Sequence, residues 1–489
     1  MGRIRTSRLQ LPSLLTAVFM LAWSAPEARL ADTGVAATPP NIVFILADDL
    51  GWSDLGCYGS TFYETPHLDQ LAAAGMRFTN AYAASSVCSP TRGSILSGKY
   101  PARTHLTEFI PGNFYPNEKL LPGRHVLHMS PEEVTIAEAL HEAGYATALI
   151  GKWHLGRDAE YHPSKQGFEV VIDGTSGPPR NYFSPYRNAH LLDGPAGEYL
   201  TDRLTVEATR FIERNRDRPF FLYMSHNAVH TPVQGKRAHV EKYRQKLKTD
   251  KSQKDPTYAA MIQSLDEGVG RLLRALVEQA VADRTLVIFF SDNGGYSSYT
   301  NNSPQRGGKG GLYEGGIREP LIVSWPGVVK PGIACNLPVT SVDFYPTLLE
   351  IAGARGDAQH NHHLDGISLQ PLLRDSNAKL GREAIYWHYP HYYVHLNSRP
   401  HSAIRAGDYK LIEFYEDGRT ELYDLNRDVG ERQNLAAESP DKVRQLLSKL
   451  HAWQARVNAQ MPRPNPGYDP NSDRRYKDGR SFYQLKKQP

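Results

Sequence analysis

The 489-residue sequence predicts an α/β fold: a large mixed, mostly parallel, doubly wound sheet sandwiched by helices, with a smaller C-terminal α+β subdomain. Three observations predict it. Continuous apolar runs rich in β-branched and aromatic residues recur between Asn41 and Phe290, stretches of helical periodicity lie between them, and polar clusters follow directly after the runs. Runs that are apolar on both faces suit interior strands covered by helices. Their alternation with helices gives the doubly wound arrangement.

The elements follow in order. Asn41–Ala47 is the first apolar run and is followed at once by Asp48 and Asp49. Residues 65–75 read as a helix, with Pro66 in its first turn and Gly75 at its end. Residues 135–143 read as a second helix stopped by Gly144, and 145–150 as the strand after it. Residues 220–224 form another buried strand. From 258 to 280, Met261, Leu265, Val269, Leu272 and Leu276 mark one face of a long amphipathic helix. Residues 285–290 are the next strand, ending in Ser291-Asp292-Asn293-Gly294-Gly295.

Beyond about residue 375 the pattern changes. Residues 403–405, 409–414 and 420–424 read as short strands with turns at Gly407-Asp408 and Asp417-Gly418. Residues 440–457 read as one amphipathic helix. The expected organisation is a catalytic domain over 41–375, a C-terminal subdomain of antiparallel sheet plus helix over 376–460, and a loose tail over 461–489 rich in Pro, Asp, Lys and Arg.

Composition narrows the function classes. At 40% hydrophobic and 22% charged the chain is an ordinary globular protein. A net charge of +4 without a Lys/Arg run gives no nucleic-acid footprint, although a locally positive pocket for an anion is compatible with that total. Arg3, Arg5 and Arg8 precede an apolar stretch over 11–23, then Ser24 and Ala25. This reads as a secretory signal peptide over 1–25, its end lying between 24 and 31, and hence as a periplasmic or secreted protein. A membrane anchor needs about 20 apolar residues; this run is shorter and no later one would keep the chain in a membrane. The three cysteines, Cys57, Cys88 and Cys335, leave at least one thiol unpaired. An exported chain without a disulfide framework depends on its core for stability.

Ligands of doubly wound sheets sit beyond the carboxyl ends of the strands. Asp48-Asp49, Lys152-Trp153-His154, the segment from His226 to His230, and Asp292-Asn293 all follow predicted strands, so they are expected to converge. Adjacent carboxylates repel unless a positive charge lies beside them. An Asp pair alone is equally well a turn or a helix cap; Asp292-Asn293 at a second strand end tips the balance. Three carboxylates and a carboxamide supply hard oxygen donors, the chemistry of Ca²⁺ or Mg²⁺. Calcium is favoured because its flexible shell of about 6–8 oxygens accepts carboxylates and substrate oxygens together. No Cys/His spacing matches a structural zinc site.

The segment Val87-Cys88-Ser89-Pro90-Thr91-Arg92-Gly93-Ser94-Ile95-Leu96-Ser97-Gly98-Lys99-Tyr100 carries Cys-x-Pro-x-Arg followed by Ser-Gly-Lys-Tyr. It resembles the signature of the type I, formylglycine-dependent sulfatases. The resemblance runs from Asn41 to about Leu435. It includes Asp48-Asp49-Leu50-Gly51, Gly151-Lys152-Trp153-His154-Leu155-Gly156, Ser291-Asp292-Asn293-Gly294-Gly295, Gly308-Lys309 and Tyr313-Glu314-Gly315-Gly316-Ile317-Arg318-Glu319-Pro320. A lone C-x-P-x-R is weak, whereas these blocks in this order are specific.

The resemblance implies an alkaline-phosphatase-like fold and an arylsulfatase-like sulfuric ester hydrolase. It also implies one Ca²⁺ ion and oxidation of Cys88 to Cα-formylglycine (3-oxoalanine) by a formylglycine-generating maturation enzyme. The roles it implies fall on Asp48, Asp49, Asp292, Asn293 and the modified Cys88 as metal ligands, with Asp292 also the base. Arg92, one helical turn after Cys88, would bond the nucleophile; Lys152 and Lys309 would hold the sulfate oxygens. His154 would assist turnover of the adduct, and His230, with Lys309, would protonate the leaving oxygen. The loop is one residue longer than in some relatives, so His226 is the alternative to His230. The chemistry is coherent: a thiol bound to sulfate has no easy way to turn over. A hydrated aldehyde attacks with one hydroxyl and expels sulfate by collapse of the other.

Substrate clues are thinner. Arg180-Asn181-Tyr182 and Trp387-His388-Tyr389-Pro390-His391-Tyr392 combine basic and aromatic residues suited to an anionic sugar, so Arg180, His388 and His391 are candidate contacts, although packed loops share this composition. The expected substrate is a sulfated sugar, with aryl sulfates as good-leaving-group surrogates. Two rivals stand beside this reading. One is a phosphomonoester or phosphonate-ester hydrolase of the same superfamily; the other is a glycan-binding protein that never undergoes maturation.

Overall fold

The computed structural model describes Gly2 and residues 39–393 and 398–471. Apart from Gly2, the expected signal peptide lies outside the described residues, as do residues 472–489 of the expected tail.

Asn41–Ala47 is the central strand, parallel to Thr285–Ser291 on one side and to Phe220–Ser225 on the other. Ala146–Gly151 and Val170–Asp173 continue the parallel run beyond Phe220–Ser225. On the other flank Arg318–Ser324 is antiparallel to both of its neighbours, Thr285–Ser291 and Met76–Tyr82. The short strands Ile333–Cys335 and Val339–Thr340 lie parallel to Met76–Tyr82. The sheet is therefore mixed and mostly parallel.

Alternation along the central strand builds a core on each face. Val43 and Ile45 pack with Leu204 and Phe211 of helix Leu200–Asn215 and Leu265 of helix Pro256–Glu278. Phe44 and Leu46 pack with Leu140 of helix Ile136–Glu142 and Leu348 of helix Phe344–Ala352. The start of Ile136–Glu142 is fixed by a capping box: Thr135 Oγ1 accepts the Glu138 N–H at 3.1 Å and Glu138 Oε2 accepts the Thr135 N–H at 2.8 Å.

Elements that were not predicted include helices Leu200–Asn215, Arg237–Lys246 and Phe344–Ala352 and strands Met76–Tyr82, Val170–Asp173, Arg318–Ser324, Ile333–Cys335, Val339–Thr340 and Ile385–Tyr389. Arg318–Ser324 opens Arg-Glu-Pro, which masks a strand whose seven residues are all buried.

The C-terminal sheet is antiparallel in the order Ile385–Tyr389, His401–Ala406, Tyr409–Phe414, Thr420–Asp424. Helix Pro440–Arg456 covers one face through Leu446, Leu450 and Trp453 against Ile404, Leu411 and Leu422. Within the segment 387–392, residues 387–389 belong to the paired strand Ile385–Tyr389, so candidate contact His388 lies in the sheet. The other face meets the catalytic sheet around a buried ion cluster. Lys410 Nζ lies 2.9 Å from Glu314 Oε1 and 2.9 Å from Glu431 Oε1, with all three side chains excluded from solvent. Among the described residues no helix is long and apolar enough to cross a membrane.

Candidate active site

The sheet delivers polar residues at the carboxyl ends of its parallel strands, as the topology requires. Asp48 and Asp49 leave Asn41–Ala47, and Asp49 takes a left-handed φ of 64°. Lys152 leaves Ala146–Gly151 with its N–H bonded to Ser225 O at 2.7 Å. Gly151, at φ 113°, permits that exit, since a Cβ there would meet Ser225 O at 1.8 Å. Asp292 and Asn293 leave Thr285–Ser291, and Asp292 Oδ1 accepts the Asp49 N–H at 3.3 Å.

Cys88 opens helix Cys88–Ser97, whose ten residues are all buried. Its Sγ lies 3.6 Å from Asp48 Oδ1 and 3.5 Å from Lys309 Nζ. Arg92, one turn on, extends into the same polar centre. Its Nε donates to Asp292 Oδ2 at 2.8 Å, its Nη1 donates to Ser225 Oγ at 2.7 Å, and its Nη2 is 3.7 Å from Asp48. Arg92 thus anchors Asp292, a contact that was not foreseen. Ser225, which also donates to Lys152 O at 2.7 Å, was missed, although its place directly before His226 at a strand end could have flagged it.

Lys152 Nζ is 2.6 Å from Asp48 Oδ2, and Lys309 Nζ is 2.6 and 2.8 Å from the two Asp49 oxygens. Three carboxylates and three cations therefore share one buried volume, and their formal charges cancel. Burial pushes Asp48 up, but Lys152, His230, Arg92 and Lys309 outweigh it and hold its carboxyl well below the usual range. Asp292 is pushed up to about 7 by burial and by the Asp48 charge, against the pull of Arg92. Burial would strip the Lys309 proton, yet Asp49 beside it holds the ammonium charged.

The two predicted histidines, His154 and His230, both feel the charges of Asp48 and Lys152. His230 Nε2 is 3.6 Å from Asp49 Oδ2, and its Nδ1 is 2.8 Å from Thr231 O, an arrangement that puts the proton on Nδ1. Burial, then Lys309, lowers it to about 4, with Asp49 opposing. His154 Nε2 lies 2.5 Å from Ile110 O, and its Nδ1 is buried without a hydrogen-bond partner. Burial, with Lys152 and Arg92, keeps it neutral. His226 is elsewhere: it is buried with neither ring nitrogen bonded, and the charge felt there is that of Arg271.

Ligand atoms of Asp48, Asp49, Cys88 and His230 all lie within 4.8 Å of one another. Asn293 donates Nδ2 to Asp49 Oδ1 at 2.8 Å, while its Oδ1 is buried without a partner. An orphaned amide oxygen beside two carboxylates that already attract ammonium groups fits a hard divalent cation. The Cys88 thiol is pushed up to about 12 by burial, with Lys152 and Lys309 opposing, so at neutral pH it is not a thiolate.

The candidate sugar contacts separate. Arg180 is exposed and lines a cavity of about 1160 Å³. Tyr182 beside it is buried, its hydroxyl donating to Asn227 O at 2.5 Å and His230 O at 2.9 Å. His388 and His391 correct the expectation. His388 binds Ser402 Oγ at 2.7 Å and Gln460 O at 3.2 Å; His391 binds Thr107 Oγ1 at 2.9 Å with Glu108 3.6 Å from its other nitrogen. Both rings are buried, so neither projects a nitrogen toward solvent.

A family model described as Sulfatase matches residues 40–354, and one described as N-sulphoglucosamine sulphohydrolase, C-terminal, matches residues 308–460. A Formosa agariphila protein named Sulfatase is 34% identical over 497 residues, spanning 86% of this chain and 89% of its own. Arylsulfatase A of Homo sapiens is 34% identical over 481 residues, with the same shares. The crystal structure of Ps i-CgsB, also solved in complex with k-i-k-neocarrahexaose, has a TM-score of 0.74 and 30% identity, covering 88% of this chain and 95% of that one.

Proposed function

As this chain belongs to the sulfatase family and hydrolyses sulfate esters, we propose that its substrate is a sulfated carbohydrate, its nucleophile a formylglycine made from Cys88, and its metal a single Ca²⁺ ion. The observation that carries this reading is the position of Cys88. Its sulfur sits at the start of a buried helix between Asp48 and Lys309, where the lysines meet the carboxylates, yet burial keeps the thiol protonated. A protonated thiol is a poor nucleophile. Oxidation of residue 88 to an aldehyde by a maturation enzyme, and its hydration, would supply paired hydroxyls at that same point.

The chain's own residues then divide the work. Lys152 and Lys309 offer two ammonium groups to the sulfate oxygens, where charge grows in the transition state. Arg92 fixes Asp292, so that a carboxylate with a raised proton affinity stands near the nucleophile as its base. His154 keeps a bare Nδ1 for the proton of the second hydroxyl. His230 keeps Nε2 on the site; an anionic sulfate beside it would favour its charged form and so equip it to protonate the leaving oxygen. Asp48, Asp49, Asp292 and Asn293, with the modified residue 88, would hold the Ca²⁺ ion, which when bound would polarise sulfate oxygens and acidify a hydroxyl.

A phosphate dianion usually calls for two metals or a Ser/Thr nucleophile, whereas one group of potential metal ligands is found among the described residues and it contains Cys88. Support for a carbohydrate comes from Ps i-CgsB with its bound k-i-k-neocarrahexaose. The basic start and apolar run of the first 25 residues support export.

Peptide mass spectrometry of protein from its native host tests the nucleophile: residue 88 should have exchanged sulfur for oxygen and lost two hydrogens, and an intact thiol in active protein would falsify the formylglycine. Calcium is tested by chelation. Removing the metal should lower para-nitrophenyl sulfate turnover at least about a hundredfold, the scale of losing one preorganised electrostatic contact. Added Ca²⁺ should restore it, and an undiminished rate in chelator would refute the metal.

A further inference from the structure

The 1160 Å³ cavity beside the site takes no part in the chemistry above. It lies past the carboxyl ends of Ala146–Gly151 and Val170–Asp173, on the edge of the sheet that holds the site. Its walls are continuous with the segments that position both histidines. Trp153 and Gly156 flank His154, and the N–H groups of Trp153 and His154 donate to Thr175 O, in the opposite wall, at 2.9 and 3.2 Å. Asn181 in the same wall precedes Tyr182, whose hydroxyl holds His230 O.

The lining is basic. Arg157, Arg180 and Arg187 face it together with Asp158 and Asp193, and one Asp193 oxygen is already taken by the Tyr186 N–H at 2.6 Å. Arg180 and Arg187 are exposed and have no ion-pair or hydrogen-bond partner among the described residues. Leu192, 85% exposed, adds an apolar surface. The volume exceeds the roughly 300–1,000 Å³ of ordinary ligand pockets. Guanidinium groups suit bidentate binding of sulfate or carboxylate.

We infer that this cavity is a second anion subsite, which takes a sulfate or carboxylate on a sugar flanking the one that loses its sulfate. The inference rests on the sulfated-carbohydrate reading and makes the preferred substrate an oligosaccharide with several anionic groups.

The test uses hydrolysis of para-nitrophenyl sulfate by the mature enzyme, inhibited in turn by inorganic sulfate and by hexasaccharides of carrageenan, chondroitin sulfate and heparin. The parent should bind at least one hexasaccharide more tightly than inorganic sulfate. The double variant Arg180→Ala/Arg187→Ala should weaken that inhibition at least about tenfold, the scale of one lost charge-assisted contact. Its own turnover of the aryl sulfate and its inhibition by inorganic sulfate should be unchanged. Equal inhibition of parent and variant, or no hexasaccharide better than inorganic sulfate, overturns the subsite. A parent that cleaves no sulfate ester overturns the functional reading itself, and with it the subsite.

Discussion

Replacing Cys88 by Ala should abolish sulfate release while leaving the protein folded and able to bind its substrate. Loss of a nucleophile that acts as part of a unit lowers turnover on the order of 10⁶-fold. The Cys88 sulfur lies 3.6 Å from Asp48 and 3.5 Å from Lys309 at the start of helix Cys88–Ser97. The fold should tolerate the change, because removing one small group from a packed site costs about 0.5–1.5 kcal/mol. Lys152 and Lys309 keep their places on the aspartates, so the variant retains the cationic half of the sulfate site. Aryl sulfate turnover and substrate calorimetry on the same preparation check both halves. Turnover within tenfold of the parent would place the nucleophile elsewhere.

The second large effect concerns stability. Lys410→Met should destabilise the C-terminal sheet by about 3–5 kcal/mol, the usual consequence of removing one partner from a buried ionic group. Lys410 holds Glu314 and Glu431 at 2.9 Å each, and neither has access to water. Glu314 is pushed up by burial, yet Lys410, with Arg318 and Arg405, brings it down to about 2; burial lifts Glu431 to about 7 against the same lysine.

Without Lys410 both carboxyls move upward, and a group whose folded value is raised costs stability as pH rises through the unfolded value near 4.5. The deficit should therefore be larger at pH 8 than at pH 5. Urea unfolding followed by tryptophan fluorescence reads it, since Trp387 and Trp453 lie in this region. A deficit that does not depend on pH would mean that lost packing, and not stranded charge, is the cause. Adding Glu431→Gln to Lys410→Met should recover part of the loss, because the carboxylate that depended on Lys410 is then neutral while Glu314 keeps Arg318 and Arg405 beside it.

The chemistry of the site was largely legible before any fold was known. Interior strands announce themselves as unbroken apolar runs, and the polar residue after each run is where a parallel sheet exposes its ligands. Asp48, Asp49, Lys152, His154, Asp292 and Asn293 were all found by that rule. Cys88 and Arg92 were singled out by their resemblance to the sulfatase signature, and helix Cys88–Ser97 places them one turn apart. Such signals are local, so a linear reading captures them.

What only the tertiary structure decided depends on contacts between distant segments. Arg318–Ser324 is a buried strand in spite of its charged start, because Arg318 Nε donates to Thr79 O at 2.8 Å on the neighbouring strand Met76–Tyr82. His230 lies beside Asp49 and His226 does not, a contact between the ends of two neighbouring strands that no spacing encodes. His388 and His391 looked like surface ligands by composition and proved to be bonded inside the packed C-terminal part, because Ser402 and Thr107 are close to them only after folding. Arg180 had the same composition signal and stayed exposed beside a cavity. Residue type sets what a side chain can do, but burial and partners decide whether it is free to do it, and both are properties of the folded chain.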